Sequence, residues 1–281
     1  MRDSTTILHG DCRAHLATLD AARFRSCVTS PPYWEIVNYL PPDHPDRALE
    51  LGHEPRPEDY IDELVAVFRE VRRVLTDDGT LWLNIGDKYA VKPGGNLAGG
   101  PSGGPAGRRM RRGSAAPRLS AGRADRPPKS LLMLPARIAM ALQDDGWILR
   151  SELIWRKIKF APHPVDDRPT IAHEPVYLFS KSDRYFYDKD AIRERGTVWD
   201  IATDSGGGHE ARMPAELARR CLLLGSKIGD EVIDPFGGSG TVGRIAEDES
   251  RRATLIDLDE RACATARQRT AQISLPASTT E

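Results

Sequence analysis

VIDPFGGSGTVG, residues 232–243, combines an apolar strand end, a glycine-rich turn and the start of a helix. Gly238, Gly240 and Gly243 have the GxGxxG spacing, and Asp257 follows at the end of the next apolar stretch. Glycines let a backbone approach a ligand closely, and a carboxylate one strand away can bind ribose hydroxyls. The turn therefore makes a dinucleotide-binding fold one candidate, although GxGxxG alone has low specificity. No Lys-Ser or Lys-Thr pair follows the glycines, so a P-loop is excluded.

The rest of the chain alternates predicted strands with predicted helices. Only one predicted helix follows Asp257, so the strands that complete a sheet around this turn are expected earlier in the sequence. Apolar patterns predict strands at 5–11, 26–30, 80–87, 147–155 and 175–180, and helices at 58–75, 134–146, 214–225 and 260–273. This alternation indicates an α/β fold with a mainly parallel sheet and helices on both faces.

The composition is that of a folded, water-soluble protein. Of the 281 residues, 40% are hydrophobic and 29% are charged, and the net charge is −1, so any nucleic-acid surface has to be local. No apolar run reaches membrane-spanning length and no signal peptide is evident, so we expect a cytoplasmic protein without a membrane partner. The four cysteines are scattered without a CxxC pair, which favours reduced core cysteines over a metal site.

One segment departs from this even charge. Residues 92–129 contain nine lysines and arginines against a single acid, Asp125, in a stretch crowded with glycine and proline. Such a composition cannot bury a core, so we expect a mobile loop inserted within a single domain that spans residues 1–281. The segment is either a solvated linker or a basic loop that settles on phosphate groups, and its lopsided charge favours the loop.

A second unusual turn is CVTSPPYW, residues 27–34, at the end of the second predicted strand. Prolines cannot donate to a sheet ladder, and each restricts the residue before it, so Pro31 and Pro32 predict a stiff, extended exit from the strand. The exit presents the Ser30 hydroxyl, backbone carbonyls and the Tyr33 ring. It is either a rigid structural turn or a preformed polar site.

TSPPYW (29–34) followed much later by DPFGGSGT (234–241) resembles the amino-methyltransferases of DNA, in the permuted class called beta. Further blocks that resemble the family are HGD (9–11), GTLWLNIGDKY (79–89), GWILRSELIWRK (146–157), DRPTIAHEPVYLFSKSDRYFYD (167–188) and DEVIDPFGGSGT (230–241). The resemblance covers nearly the whole chain. It implies a Rossmann-like, circularly permuted S-adenosylmethionine-dependent methyltransferase fold, whose mainly parallel sheet carries an antiparallel hairpin.

The resemblance also implies the residues that bind the cofactor, S-adenosylmethionine. The glycine turn is expected to wrap the cofactor, with Asp257 on the ribose hydroxyls and Asp11 at the adenine edge. The residues of the turn in this role are Asp234, Phe236, Gly237, Gly238 and Gly240. No metal is expected at the site.

The proline turn is expected to be catalytic. The amino nitrogen of a base is a poor nucleophile because its lone pair is delocalised into the ring. Hydrogen-bond acceptors aimed at its two hydrogens localise that lone pair, and the resemblance assigns this role to Ser30 and the Pro31 carbonyl. Pro32 removes a competing amide, and Tyr33 is expected to stack on the target base.

The residue before PPY indicates which base is modified. Serine there resembles the cytosine-N4 enzymes of the family, whereas aspartate or asparagine resembles the adenine-N6 enzymes. We therefore expect methyl transfer to N4 of cytosine in DNA, with N6 of adenine as the alternative. No cysteine stands in a nucleophile-like turn, which argues against chemistry at cytosine C5. A nucleotide-binding oxidoreductase on a permuted sheet is a distant alternative that rests on the glycine spacing.

The expected partner is double-stranded DNA, from which the target base has to be flipped. The long target-recognition region that this class usually inserts after the block at 167–188 is short here. The reading of DNA is therefore expected from residues 35–56 and from the basic loop. The DNA-binding residues expected in that loop are Arg108, Arg109, Arg111 and Arg112. A cognate restriction endonuclease is a further expected partner.

Replacing Arg108, Arg109, Arg111 and Arg112 with glutamine is expected to weaken DNA binding and to flatten its salt dependence, because each neutralised phosphate releases counterions. The log–log slope of binding constant against salt concentration should shrink by about 0.9 for each phosphate that the loop no longer neutralises. DNA titrations at several salt concentrations measure this slope. Cofactor binding is the control, since it is assigned to other segments, and an unchanged slope would identify the segment as a linker.

Overall fold

The computed structural model describes residues 4–91, 126–158, 166–203 and 213–271. The predicted basic loop lies outside the described residues except for 126–129, so its mobility stays a prediction. The described chain forms an eight-stranded sheet. Its strands are β1 (Thr5–His9), β2 (Phe24–Thr29), β3 (Leu75–Asn84), β4 (Ile148–Lys157), β5 (His173–Ser180), β6 (Val198–Ile201), β7 (Glu231–Asp234) and β8 (Arg252–Asp257).

The strands lie in the order β1-β8-β7-β2-β3-β5-β4-β6. Parallel pairing joins β1 to β8, β8 to β7, β7 to β2, β2 to β3 and β4 to β6, whereas β5 runs antiparallel to both β3 and β4. The prediction of a mainly parallel sheet with an antiparallel hairpin, formed here by β4 and β5, is confirmed. Strands β7 and β8, late in the chain, lie between β1 and β2, so the sheet interleaves early and late segments.

The helices of the described residues pack on the two faces of this sheet. They are α1 (Cys12–Thr18), α2 (Pro57–Val74), α3 (Leu134–Asp144), α4 (Ala215–Gly225), α5 (Thr241–Asp248) and α6 (Glu260–Ala271), and a 3₁₀ helix (Pro45–Leu49) lies in the segment between β2 and α2. Helix α2 begins at Pro57, because the fixed φ of proline suits the first turn, where its missing N–H has no intrahelical partner. Helix α1 begins after Asp11, whose carboxylate accepts the backbone N–H of Arg13 at 3.0 Å.

Two hydrophobic clusters, one on each face, enclose the central strands. Leu81 and Leu83 of β3 belong to the cluster that contains Phe68 of α2. Trp82, between them, belongs to the other cluster, together with Leu217 of α4. All five side chains are buried, as expected for a strand covered on both sides by helices. Because the helices cover the two faces of the sheet, its polar groups can lie at the carboxyl ends of the strands.

Three local features differ from the sequence prediction. The strand predicted at 5–11 ends at His9, because Asp11 caps α1, a helix that the apolar pattern did not reveal. The strand predicted from residue 80 begins at Leu75, and the DDG stretch at 77–79 lies in an irregularity of the β2–β3 pairing rather than between helix and strand. Edge strand β6 was not predicted, since four residues carry too short a pattern.

The cysteine prediction is confirmed: Cys12, Cys27, Cys221 and Cys263 are all free and buried. Burial raises the pKa of the Cys27 thiol well above its ordinary value, so this thiol stays protonated at neutral pH. In the part of the chain that the structure describes, no helix combines the length and the apolar character needed to cross a membrane.

At Gly225, helix α4 packs closely against the sheet. A Cβ added at this glycine would lie 2.6 Å from Trp82 Nε1, 2.8 Å from Ser26 Oγ and 2.9 Å from Thr80 Oγ1. Gly225→Ala is therefore expected to lower the free energy of unfolding by about 1–3 kcal/mol, because the overpacked contact has to be relieved by moving the helix. Urea denaturation measures the change.

Gly196→Ala is the matched control, since a Cβ there would meet nothing within 4 Å. Its unfolding midpoint should stay at the wild-type value or rise slightly, because alanine restricts the unfolded chain. Equal midpoints for the two variants would contradict the inferred close packing of α4.

Candidate active site

The two unusual turns of the sequence meet at the carboxyl edge of the sheet. Strand β2 ends at Thr29, β7 at Asp234 and β8 at Asp257, and these three parallel strands are neighbours in the sheet. In open α/β sheets, ligands bind in the crevice at this edge. The structure therefore brings together the proline turn and the glycine turn, which lie far apart in the chain.

The glycine turn packs directly on β8 and α6. The Gly237 N–H donates to the Ile256 carbonyl at 2.8 Å. Gly240 has a φ of +82°, and a Cβ there would lie 2.8 Å from the Cβ of Ala266 in α6. By contrast, a Cβ on Gly238 would meet only the Phe236 carbonyl, at 3.9 Å. The turn is thus closed by packing at its ends and open at Gly238.

Asp257 holds the open part of this turn in place. Its Oδ2 accepts the Gly238 N–H at 2.7 Å, and its Oδ1 accepts the Asp259 N–H at 2.8 Å. Burial raises the pKa of Asp257, and the two backbone hydrogen bonds oppose that rise. Burial, together with the charge of Asp257, raises the pKa of nearby Tyr39 to about 12. The predicted contact of Asp257 with ribose hydroxyls stays a prediction; its hold on the turn is what the structure adds.

Asp234 links the glycine turn to the proline turn. It is 4% exposed, and its Oδ1 accepts both the Thr29 hydroxyl at 2.6 Å and the Phe236 N–H at 3.0 Å. Burial raises its pKa to about 7, and the negative charge of Asp257 adds to the rise, while the two hydrogen bonds lower it. A single buried carboxyl therefore fixes the residue before Ser30 and the start of the glycine turn.

The proline turn is held from several sides. The Tyr60 hydroxyl of α2 donates to the Pro32 carbonyl at 2.6 Å, and the Ile36 N–H donates to the Tyr33 carbonyl at 3.2 Å. Pro31 is buried, whereas Ser30 is half-buried at the crevice. The stiff exit predicted from the two prolines is therefore also anchored by its neighbours, which leaves the Ser30 hydroxyl in a defined place.

Tyr33 is more enclosed than a stacking platform would be. Its side chain belongs to the hydrophobic cluster of α2, the residue is 6% exposed, and a Cβ on Gly86 would lie 2.6 Å from its ring. Its hydroxyl lies between Ser30 Oγ at 3.2 Å and Glu174 Oε2 at 2.9 Å. The predicted stacking of Tyr33 on a base stays a prediction, whereas its hydroxyl contacts place it beside Ser30.

Glu174 is a site residue that the sequence analysis did not single out. It is 6% exposed, and its Oε1 accepts Lys157 Nζ at 2.6 Å. Its Oε2 also accepts Asn84 Nδ2 at 3.2 Å. The signal in the sequence was a lone acid at the start of an otherwise apolar strand, with a lysine at the end of the strand that pairs with it.

Asp11, the segment 35–56 and four arginines complete the set of predicted site residues. Asp11 lies in a half-buried ion pair with Arg13 at 3.0 Å, so its predicted contact with the adenine edge stays a prediction. In residues 35–56, Glu50 accepts the Tyr39 N–H at 2.7 Å and pairs with Arg47 at 2.9 Å, which gives this segment its own polar framework. The four arginines expected to bind DNA, Arg108, Arg109, Arg111 and Arg112, lie outside the described residues.

Comparison with known proteins identifies the family. Residues 24–268 match the family described as DNA methylase, of the N6 and N4 methyltransferase type. The match covers most of the chain, and the chain therefore belongs to this family of DNA methylases. The predicted resemblance is confirmed, and the oxidoreductase alternative loses its support.

Two relatives are similar over nearly their full lengths. The Type II methyltransferase M.SmaI of Serratia marcescens is 41% identical over 278 residues, which cover 95% of this chain and 90% of that protein. The Type II methyltransferase M.Cfr9I of Citrobacter freundii is 40% identical over 277 residues, which cover 92% of this chain and 84% of that protein.

Solved structures share the fold. The PvuII DNA methyltransferase, which is cytosine-N4-specific, matches with a TM-score of 0.70 at 19% identity, over 97% of this chain and 90% of that chain. TTHA0409 of Thermus thermophilus, described as a putative DNA modification methylase and solved with S-adenosyl-L-methionine, matches with a TM-score of 0.65 at 25% identity. That match covers 95% of this chain and 93% of that chain. The fold is that of S-adenosylmethionine-dependent methyltransferases, as predicted.

Asp234→Asn is expected to change how stability depends on pH. An aspartate ordinarily titrates near 3.8, and burial raises the pKa of Asp234 to about 7. The folded state therefore holds this proton more tightly than the unfolded state. The protonated carboxyl of Asp234 stabilises the fold fully below the pKa that the group has in the unfolded state. This stabilisation is lost as the pH rises through the pKa that the group has in the folded state. Asparagine resembles the protonated acid and still accepts from Thr29, but it does not titrate.

Denaturant unfolding between about pH 4 and pH 8 measures this effect. Relative to the Asn variant, the free energy of unfolding of the wild type should fall as the pH rises, and the difference should level off above the folded pKa. Asp257 titrates in both proteins, and because its charge interacts with that of Asp234, the difference between them reports the titration of Asp234 together with that interaction. A difference that does not vary with pH would contradict the raised pKa of Asp234.

Proposed function

We propose that this protein methylates DNA on N4 of cytosine, as the modification enzyme of a Type II restriction–modification system. The observation that supports this most strongly is the hydrogen bond of 2.6 Å between Thr29 and Asp234. It joins the strand end before Ser30, which meets the target amino group, to the strand end before the glycine turn, which holds the methyl donor. A methyltransferase needs these two sites side by side.

The cofactor is S-adenosyl-L-methionine, and the site fits it. The turn is open at Gly238, where a side chain would meet nothing nearer than 3.9 Å, and the Asp257 carboxylate lies directly beside that opening. Gly237, Gly238 and Gly240 bring backbone close to the ligand, Phe236 and Asp234 lead into the turn, and Asp257 binds the ribose hydroxyls. When bound, this cofactor would supply a methyl group on a sulfonium sulfur; as the carbon–sulfur bond breaks, the electron pair goes to sulfur and a neutral thioether leaves.

The proline turn prepares the target nitrogen. Ser30 Oγ and the Pro31 carbonyl accept the two amino hydrogens and localise the nitrogen lone pair toward the methyl group. Because Pro32 has no N–H and its carbonyl is held by Tyr60, the turn does not have to reorganise during the reaction. Serine is a poor proton acceptor, so the amino proton leaves after methyl transfer, with water as the acceptor.

The target base has to leave the duplex before it can reach Ser30. Flipping costs a few kcal/mol, and stacking on an aromatic ring returns roughly 1–3 kcal/mol of that cost. Tyr33 is the aromatic of the proline turn. Because it is 6% exposed here, stacking on it requires part of its surroundings to move when DNA binds.

Cytosine is favoured over adenine by the residue before PPY. Ser30 is short and neutral, as in the cytosine-N4 enzymes that the turn resembles, and the PvuII enzyme of the same fold is cytosine-N4-specific. Adenine N6 is the alternative target and would use the same acceptors. Methylation at cytosine C5 is disfavoured, because that reaction needs a cysteine thiolate. Cys27 lies in the strand that leads to the proline turn, and burial raises the pKa of its thiol well above the ordinary value, so it stays protonated.

Double-stranded DNA is the substrate, and its phosphates are contacted by the basic loop that contains Arg108, Arg109, Arg111 and Arg112. The similarity to the Type II methyltransferases M.SmaI and M.Cfr9I extends over most of each chain. We therefore propose that a restriction endonuclease with the same recognition sequence is the functional partner, and that the methylated cytosine protects DNA against it.

Incubation with mixed-sequence DNA and labelled S-adenosylmethionine, followed by digestion to nucleosides and mass analysis, tests this function. The expected product is N4-methylcytosine. Ser30→Ala should bind cofactor and DNA as the wild type does but lower turnover by at least about 100-fold, because the hydrogen bond it removes matters most in the transition state.

Ser182→Ala is the control for the serine substitution. Its hydroxyl lies 2.8 Å from the backbone carbonyls of both Asp77 and Arg184, beyond the end of β5 and away from the proline turn, so turnover should stay at the wild-type level. If the product is N6-methyladenine, the target base is adenine rather than cytosine, and the proposed role of the proline turn still holds. 5-Methylcytosine would overturn the mechanism, because the proline turn has no part in that chemistry.

A further inference from the structure

A chain of four polar side chains leads away from Ser30 into the sheet. Ser30 Oγ is 3.2 Å from Tyr33 Oη, which is 2.9 Å from Glu174 Oε2, and Glu174 Oε1 is 2.6 Å from Lys157 Nζ. Tyr33 and Glu174 are each 6% exposed. A buried carboxylate is costly unless it is paired and hydrogen-bonded, and here both of its oxygens have partners.

The protons of this chain can be assigned by counting donors. Tyr33 has one hydroxyl proton and three nearby oxygens able to accept it: Glu174 Oε2 at 2.9 Å, Ser30 Oγ at 3.2 Å and Asn84 Oδ1 at 3.4 Å. The hydrogen bond to the carboxylate is shorter and charge-assisted, so it takes the proton. Burial and the neighbouring Glu174 raise the pKa of Tyr33 well above its ordinary value, so the hydroxyl keeps this proton to donate.

The direction of the Ser30 hydroxyl follows from that assignment. Since the Tyr33 proton is directed at Glu174, the Tyr33 oxygen acts as an acceptor toward Ser30. The single proton of Ser30 is then committed to Tyr33, and its lone pairs face the crevice. A hydroxyl held this way accepts a hydrogen bond from an amino group and does not compete as a donor for the nitrogen lone pair.

We propose that Glu174 is a positioning residue that fixes Ser30 as a hydrogen-bond acceptor for the target amino group, acting through the hydroxyl of Tyr33. Lys157 holds the carboxylate, and Asn84 donates to the same Oε2 that receives Tyr33, at 3.2 Å. The inference rests on the proposed function, since it assigns the polarity of the serine in that reaction. It extends the site to β3, β4 and β5, beyond the two signature turns.

Glu174→Gln is the most informative change, because it keeps the size of the side chain and reverses part of its polarity. The amide oxygen is expected to face Lys157, which places the NH₂ group against Tyr33. The Tyr33 proton then turns away from position 174 and toward Ser30 Oγ, which at 3.2 Å is nearer than Asn84 Oδ1 at 3.4 Å, so a lone pair of Ser30 becomes occupied. Steady-state kinetics should show kcat lowered by about 10- to 100-fold, with the KM values for cofactor and DNA within about twofold of wild type.

The same substitution in a Ser30→Ala background separates positioning from a general structural role. If Glu174 acts through Ser30, it has little left to orient, and the further loss of kcat should be below about twofold. If the loss from Glu174→Gln is as large in that background as in the wild type, the proposal is overturned. An unchanged kcat in the single variant overturns it as well.

Two further variants keep the test decisive if Glu174→Gln folds poorly. Tyr33→Phe removes the relaying hydroxyl and should lower kcat to a similar extent, again with little effect in the Ser30→Ala background. Tyr177→Phe is the matched control: it removes another buried tyrosine hydroxyl bonded to a glutamate, Glu152 at 3.4 Å, outside the chain that leads to Ser30. Its kcat should stay near wild type, and a loss equal to that of Tyr33→Phe would overturn the proposal.

Nucleoside analysis of the wild-type reaction distinguishes failure of this inference from failure of the proposed function. If the wild type yields a methylated nucleoside and the variants keep the wild-type kcat, only the positioning role of Glu174 is refuted. No methylated nucleoside from wild type refutes the proposed function, and the inference with it.

Discussion

The hydrogen bond from the Thr29 hydroxyl to the buried Asp234 carboxyl is the constraint on which the rest of the site depends. It connects the ends of two adjacent parallel strands, β2 and β7, at a distance of 2.6 Å. Because Thr29 directly precedes Ser30 and Asp234 directly precedes the glycine turn, the bond sets the separation of the two turns. Neither turn can shift without moving a strand that is packed on both faces, so the geometry of the crevice follows from that of the core.

The three acids of the site are costly to desolvate, and each accepts hydrogen bonds that offset this cost. Asp234 and Asp257 accept backbone or hydroxyl hydrogens, and burial still raises the pKa of both. Glu174 is paired with Lys157 and hydrogen-bonded to Asn84 and Tyr33. A fully connected polar network is tolerated in a core because no member is left unsatisfied, and it is rigid for the same reason. The cost of burying these groups is consistent with a site whose polar groups are oriented before the substrate arrives.

The sequence predicted correctly those features that depend on local backbone conformation or on a pattern that recurs over many residues. Proline and glycine dictate backbone conformation by themselves, so the turns at 27–34 and 232–243 could be interpreted without knowing their surroundings. Helical spacing predicted α2 nearly to the residue, since its apolar positions recur over 18 residues. Short elements failed: α1 has seven residues and β6 has four, and so few positions carry little periodic signal. The irregularity at 77–79 was missed because Asp-Asp-Gly is equally typical of a turn between elements.

The order of the two turns along the chain, with their glycines, prolines and serine, identified the family and the cofactor and predicted a site at the strand ends. These are properties of the local backbone and of residue type, and they are written in short stretches of sequence. Only the tertiary structure placed Glu174 and Lys157 behind Ser30, and only it showed that Tyr33 is enclosed and that Asp234 joins the two turns. The reason is physical: a buried polar network depends on which side chains meet across β2, β3, β4 and β5, and pairing between strands distant in sequence leaves no periodic mark on any of them.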